Sequence, residues 1–110
     1  MRVAVVGSRE LIVEDLGSFL PEGTTEIVTG GARGVDQCAM DYAKSHGLKL
    51  KVFWPDYETH GKTAPLVRNR QIMAYADQAL AFWDGVSRGT VHAIRCAKEL
   101  GKPVRVFRKI

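Results

Sequence analysis

Glu26-Ile27-Val28-Thr29-Gly30-Gly31-Ala32-Arg33-Gly34-Val35-Asp36 decides the reading of this chain. A short β-branched run, residues 26–29, is closed by two glycines and opens into residues 35–46, whose apolar positions have helical spacing. Val35, Cys38, Ala39, Tyr42 and Ala43 fall on one face, and Gly47 sits where a helix C-cap is favoured. Strand, glycine-rich turn, helix is one βα unit, and the same unit recurs outward in both directions. Upstream, Val3-Ala4-Val5-Val6 is continuously apolar, as expected of a strand covered on both faces, and Gly7 stops it. A weak helix candidate over residues 13–20 follows, ended by Pro21-Glu22-Gly23.

Downstream, residues 48–54 begin by alternating and end apolar, which predicts a strand nearer a sheet edge. Residues 55–63 read as a polar loop holding Tyr57, His60 and Gly61. A third helix is expected over residues 65–76, with Leu66, Ile72, Met73 and Ala76 apolar. Residues 79–83 form a buried strand, Asp84-Gly85 a turn, and Ser87 an N-cap for a helix reaching Leu100 with Val91, Ile94, Ala97 and Leu100 on its core face. Gly101 stops that helix, and residues 103–107 are the last strand. Strands alternating with helices predict an α/β fold: a single Rossmann-like domain over residues 1–110, built on a doubly wound, mainly parallel five-stranded sheet with helices on both faces.

Composition agrees with one ordered domain. The chain has 110 residues, 45% hydrophobic and 25% charged, with 11 Gly and 4 Pro. A chain of this size buries roughly 60–70% of its unfolded surface, enough for stability without staples. Its two cysteines, Cys38 and Cys96, build no disulfide framework and lack metal-ligand spacing, so packed, reduced thiols and no metal are expected. No apolar run reaches membrane-spanning length, so no membrane association and a cytoplasmic location are expected. The formal charge of +4 suits anionic partners without separating nucleotides from polynucleotides.

In open α/β sheets, ligands bind beyond the carboxyl ends of the strands, at the topological switch. There the sequence sets Gly7-Ser8-Arg9, then Gly30-Gly31-Ala32-Arg33-Gly34-Val35-Asp36, then Arg68-Asn69-Arg70, then Gly85-Val86-Ser87-Arg88-Gly89-Thr90. Glycines let backbone N–H groups approach a phosphate. Helix starts after Gly34 and Ser87 offer unpaired N–H groups and a positive dipole end. Arg9, Arg33, Arg68 and Arg88 supply bidentate anion contacts, and Asp36 accepts from ribose hydroxyls. Asn69 is a poor helix former, which tilts it toward function. Each motif alone also fits a bland role: tight turns for the glycines, solvated helix starts for Arg33 and Arg88, dipole matching for Asp36. Trp54 and Trp83 read as core or pocket wall, His92 as a surface or interface residue, and Tyr57 and His60 as loop residues able to stack on a base. The co-location of four signals favours a site. Neither GxxxxGK[ST] nor GxGxxG occurs, which disfavours P-loop ATP hydrolysis and ordinary NAD-dependent dehydrogenation.

The set Val5–Arg9, Thr29–Asp36, Arg68–Arg70 and Ser87–Thr90 resembles the SLOG superfamily, which joins the DNA-processing protein Smf/DprA to the LOG (Lonely-guy) phosphoribohydrolases. The nearest likeness is to its small, single-domain YspA-like branch, and it covers nearly the whole chain in order. By position, the resemblance implies that Gly7-Ser8-Arg9 matches the first-strand motif of DNA-processing proteins. Gly30 to Asp36 matches the superfamily's phosphate loop, Arg68 the LOG arginine near the glycosidic bond, Asn69 the Asn of the Arg-Asn pair in other branches, and Gly89-Thr90 the phosphate-holding start of the last helix. Ala93 stands where LOG enzymes carry a glutamate, and Asp84-Gly85-Val86-Ser87-Arg88 replaces their double glycine.

The expectation is a domain that binds a nucleotide or nucleotide-derived ligand, ADP-ribose-like, NAD-like or a mononucleotide, for sensing, sequestration or processing, with no cofactor required. The candidate binding residues are Gly7, Ser8, Arg9, Gly30, Gly31, Ala32, Arg33, Gly34, Asp36, Arg68, Asn69, Ser87, Gly89 and Thr90; no catalytic residue is assigned. Two alternatives stand beside it: single-stranded DNA binding with a steep salt dependence, and LOG-like cleavage of a nucleoside monophosphate, which Ala93 disfavours. Assembly as a homodimer or higher homo-oligomer is an expectation from the resemblance. On the ligand-binding reading, Thr90→Ala or Gly34→Val erases the ligand's stabilisation more than either harms the unliganded fold.

Overall fold

The first strand, β1 (Arg2–Gly7), occupies the centre of the sheet because it is apolar on both sides. Val3 and Val5 point to one face, Ala4 and Val6 to the other, and all four are buried. The computed structural model describes residues 1–108; the last two residues of the expected 1–110 domain lie outside them. β2 (Glu26–Thr29), β3 (Lys49–Val52), β4 (Gln78–Trp83) and β5 (Val104–Arg108) complete one sheet in the order β3-β2-β1-β4-β5. Every neighbouring pair among the described residues is parallel, with Val3 opposite Ile27 and Val5 opposite Leu80. The α/β doubly wound reading therefore holds, and β3 is an edge strand as its alternation predicts.

The period-2 alternation of the strands sorts the core into two layers. Val3, Val5, Ile27, Leu80 and Phe82 pack on α1 (Val35–Ser45) through Val35, Ala39 and Ala43. The opposite face is smaller: Ala4, Val6, Val28, Ala79 and Ala81 receive Ile72 and Met73 of α3 (Ala64–Tyr75) and Ala93, Ile94 and Ala97 of α4 (Arg88–Glu99). Alanines on both the sheet and α4 let the helices sit close. Each buried Val, Leu or Ile contributes about 1.5–3 kcal/mol.

Two connections differ from expectation. Residues 13–20 form no α-helix, only a 3-10 turn over Leu16–Ser18. Gly17 lies against the Tyr42 ring, where a Cβ would meet its Oη at 2.5 Å, and the Ser18 hydroxyl donates to the Asp15 carbonyl. Both oppose helix growth, so Val13 and Leu16 cover the α1 side of the core from irregular chain. Conversely, residues 55–63 are not a loop: α2 (Tyr57–His60) and a 3-10 turn (Gly61–Thr63) lead directly into α3. Asp56 caps α2 by accepting from the Thr59 N–H at 3.2 Å. β3 also ends earlier, at Val52, leaving Trp54 outside the sheet and exposed.

The chain winds outward from β1 through β2 to β3, then returns to lay β4 on the other side of β1. The strand order reverses there, so the carboxyl ends of β1 and β4 flank the switch point.

Candidate functional site

At the end of β1, Gly7 leaves no room for a side chain: a Cβ would meet the Phe82 carbonyl at 2.5 Å and Val35 Cγ2 at 2.6 Å. Close approach of strand and helix thus requires glycine there. Ser8, only 1% exposed, is a latch. Its N–H donates to the Phe82 carbonyl (3.0 Å), its Oγ accepts from the Asp84 N–H (3.1 Å) and meets Thr90 Oγ1 (3.4 Å), and its carbonyl accepts from Val35 N–H (3.4 Å). One residue joins β1, β4 and the starts of α1 and α4.

After β2, Gly30 opens space for a side chain from α3. A Cβ at Gly30 would lie 2.7 Å from Arg68 Cδ and Nη1. Arg68 Nη1 donates to the Gly30 carbonyl at 2.6 Å, whereas its buried Nε has no hydrogen-bond partner. Burial lowers the guanidinium's proton affinity, and the neighbouring Asp36 carboxylate opposes that. Asp36 itself is buried; its Oδ2 accepts from the Ala32 N–H at 3.1 Å, tying the glycine loop to the first turn of α1. Burial pushes its carboxyl above the ordinary value, against that hydrogen bond and the Arg68 charge. Gly34, at φ 74°, has the Ser8 and Arg9 carbonyls where a Cβ would go. The expectation that Gly34→Val erases the ligand's stabilisation more than it harms the unliganded fold is therefore corrected: the backbone itself blocks a side chain.

After β4, Asp84 Oδ1 accepts from the N–H groups of Val86 (2.9 Å) and Ser87 (2.8 Å), which hold its carboxyl below the ordinary range. That turn aims α4. Ser87 caps it by accepting from Thr90 N–H at 3.4 Å, while Thr90 Oγ1 donates to Ser87 Oγ at 3.1 Å. Gly89 is exposed in the first turn, and a Cβ there would meet nothing within 4 Å. Asn69 bridges α3 to α4: its Nδ2 donates to the Gly89 carbonyl (3.3 Å) and to His92 Nδ1 (3.2 Å). Burial pushes the His92 imidazole below its ordinary value and the neighbouring Cys96 thiol above its own.

These segments meet in one crevice of about 300 Å³ at the switch point. Gly7, Arg9, Ala32, Asp36, Arg68, Asn69, Ser87, Gly89 and Thr90 of the expected set line it. Arg9, Ala32 and Arg68 also border a second hollow of about 310 Å³, which adds Gly30, Gly31 and Arg33. Ser8 and Gly34 line neither; they hold the walls in place. Arg33 is exposed and paired with Glu10 at 2.6 Å. Glu10, Asp84 and Ala93 also line the first hollow, and Trp54 and Tyr57 the second. Asp84 reads as an ordinary turn residue in sequence, and His92 as a surface or interface residue. The signal for Asp84 was its position three residues before a helix-capping Ser; nothing in the sequence joins His92 to Asn69. Among the described residues no His, Cys, Asp or Glu cluster is arranged to hold a metal ion, and no helix is long and apolar enough to cross a membrane.

The chain is 40% identical over 87 residues to the Gene 61 protein of Mycobacterium phage D29, a match spanning 74% of this chain and 70% of the relative. No solved structure matches it. The model of YAcAr, the YspA, cpYpsA-related SLOG family, matches residues 1–60, which hold β1, β2 and the glycine loop. The match takes in the first two of the four motifs, Val5–Arg9 and Thr29–Asp36, and the chain belongs to the YspA, cpYpsA-related SLOG family.

Proposed function

We propose that the crevice binds the sugar-phosphate part of a nucleotide or nucleotide-derived ligand. The observation that carries this reading is Arg68. An arginine only 9% exposed, with its buried Nε unpartnered, is costly to keep. A ligand phosphoryl group arriving in the crevice gives it a charged acceptor. Gly89 supports the same reading: glycine disfavours the helix, no packing demands it, and its bare backbone faces the hollow at a helix N-terminus. Glu10, Asp36 and Asp84 add acceptors beside these donors. A bare polyphosphate finds only repulsion in them, whereas a sugar phosphate meets hydroxyl acceptors and phosphate donors together. Family membership in SLOG favours a nucleotide-related ligand as well.

The reading is binding rather than glycosidic cleavage. Ala93, at the position of the LOG glutamate, presents a methyl group to the crevice. Asp84 has one oxygen committed to two backbone amides. Calorimetric titration with AMP, ADP-ribose, NAD and inorganic phosphate tests the proposal. At least one nucleotide should bind more tightly than about millimolar, worth ~4 kcal/mol, and Arg68→Met should abolish the heat. Absence of binding across the set contradicts it.

A further inference from the structure

We propose that the second hollow is a nucleobase subsite, in which Trp54 and Tyr57 stack on the base of a ligand whose phosphate lies against Arg68. The inference rests on the ligand-binding reading of the first crevice and adds what the other end of the ligand must be. Trp54 and Tyr57 are 63% and 56% exposed, the two exposed large aromatic side chains among the described residues, and they stand three positions apart, Trp54 just after β3 and Tyr57 at the start of α2. Isolated exposure of this kind is ordinary; the placement of Trp54 is not. The six-membered ring of its indole occupies the space above Gly31, where a Cβ would run into Cζ3, Cε3 and Cη2. Gly31 also has φ 74°, so both its backbone and its missing side chain serve to seat the ring.

The surroundings suit a base more than a peptide side chain. Pro55 and Tyr57 continue the apolar wall, and Arg9 and Arg33 border it with cationic groups that stack on flat rings. Arg9, Ala32 and Arg68 line both hollows, so the two are neighbours and a ligand with its phosphate at Arg68 has the second within reach. Stacking tolerates any base, so this subsite selects for possession of a base rather than its identity.

Matched ligands separate the two halves of the account. AMP and ribose 5-phosphate, which lacks the base, are titrated into the wild type, Trp54→Ala, Trp54→Phe and Tyr57→Ala, with thermal unfolding checked for each. AMP should bind the wild type about tenfold or more tightly than ribose 5-phosphate. Trp54→Ala and Tyr57→Ala should shrink that preference without weakening ribose 5-phosphate, and Trp54→Phe should keep much of it. Equal affinity for the two ligands in the wild type, or a preference that survives both alanine variants, overturns the subsite and leaves the phosphate reading standing. Failure of both ligands to bind overturns the subsite, and it overturns the phosphate reading as well when ADP-ribose, NAD and inorganic phosphate also fail. Trp54-dependent binding of oligothymidylate in place of either small ligand overturns the subsite in favour of a nucleic-acid strand.

Discussion

The Arg68 guanidinium occupies the space that a side chain at Gly30 would need, and its Nη1 donates to the Gly30 carbonyl at 2.6 Å. An arginine from α3 is thereby locked into the loop after β2, 38 positions away in sequence. Gly30→Ala keeps a permitted backbone but evicts the guanidinium. Urea unfolding should show a loss of about 1–3 kcal/mol from the broken charged hydrogen bond, and nucleotide affinity should fall at least tenfold. Wild-type affinity in this variant would separate Arg68 from binding.

Arg68→Met leaves the Asp36 carboxyl buried without its compensating charge, at a cost of up to about 3–5 kcal/mol near pH 7. The folded-state pKa of Asp36 already lies above the ordinary 3.8, and losing Arg68 raises it further. Stability is therefore fully present below 3.8, where Asp36 is protonated in both states, and is lost as pH rises through the folded value. The deficit relative to wild type should shrink as pH falls from 7 toward 4, and Asp36→Asn in the same background should remove the pH dependence. A deficit constant with pH contradicts the coupling.

Gly89→Ala should act oppositely on fold and function. The site is open space, so alanine removes only glycine's helix penalty, and the unliganded protein should gain up to about 1 kcal/mol. The same methyl covers backbone N–H groups facing the crevice, so affinity should drop. Thermal unfolding with and without AMP reads both: a higher unliganded Tm with a smaller ligand shift. A gain in both would mean that the helix start does not touch ligand.

His92 accepts from Asn69 through Nδ1, and burial holds its folded pKa below the ordinary 6.5. Its contribution is complete above 6.5 and is lost as pH falls through that value toward the folded one, because protonated Nδ1 cannot accept. The stability difference between wild type and His92→Gln should therefore decline between pH 7 and 5. A difference independent of pH would show that the imidazole does not titrate against the fold.

Much of this was legible in sequence because the relevant forces are local. Val3 to Val6 reads as a central strand since both faces are apolar, and Ser87 reads as a helix cap since its hydroxyl serves an amide three residues on. What escaped depends on contacts distant in sequence. Residues 13–20 carry enough apolar residues to suggest a helix, but Gly17 is there to pass under Tyr42. Ser8 and Asn69 read as ligand contacts; their polar atoms are largely committed to joining elements. Asp36 reads as a ribose acceptor, yet one of its oxygens holds the Ala32 amide from inside. Trp54 reads as core or pocket wall at a strand end; it lies beyond the strand and outside the core, and its seat at Gly31 becomes visible only once the chain is folded.

The most direct test follows backbone amide resonances of the wild-type protein during titration with AMP or ADP-ribose. The account predicts that the largest saturable shifts fall on Gly7, Gly30 to Ala32, Gly89 and Thr90, all bordering the two neighbouring hollows. Saturable shifts concentrated on the exposed edges at β3 or β5, or no shifts at millimolar ligand, would contradict it.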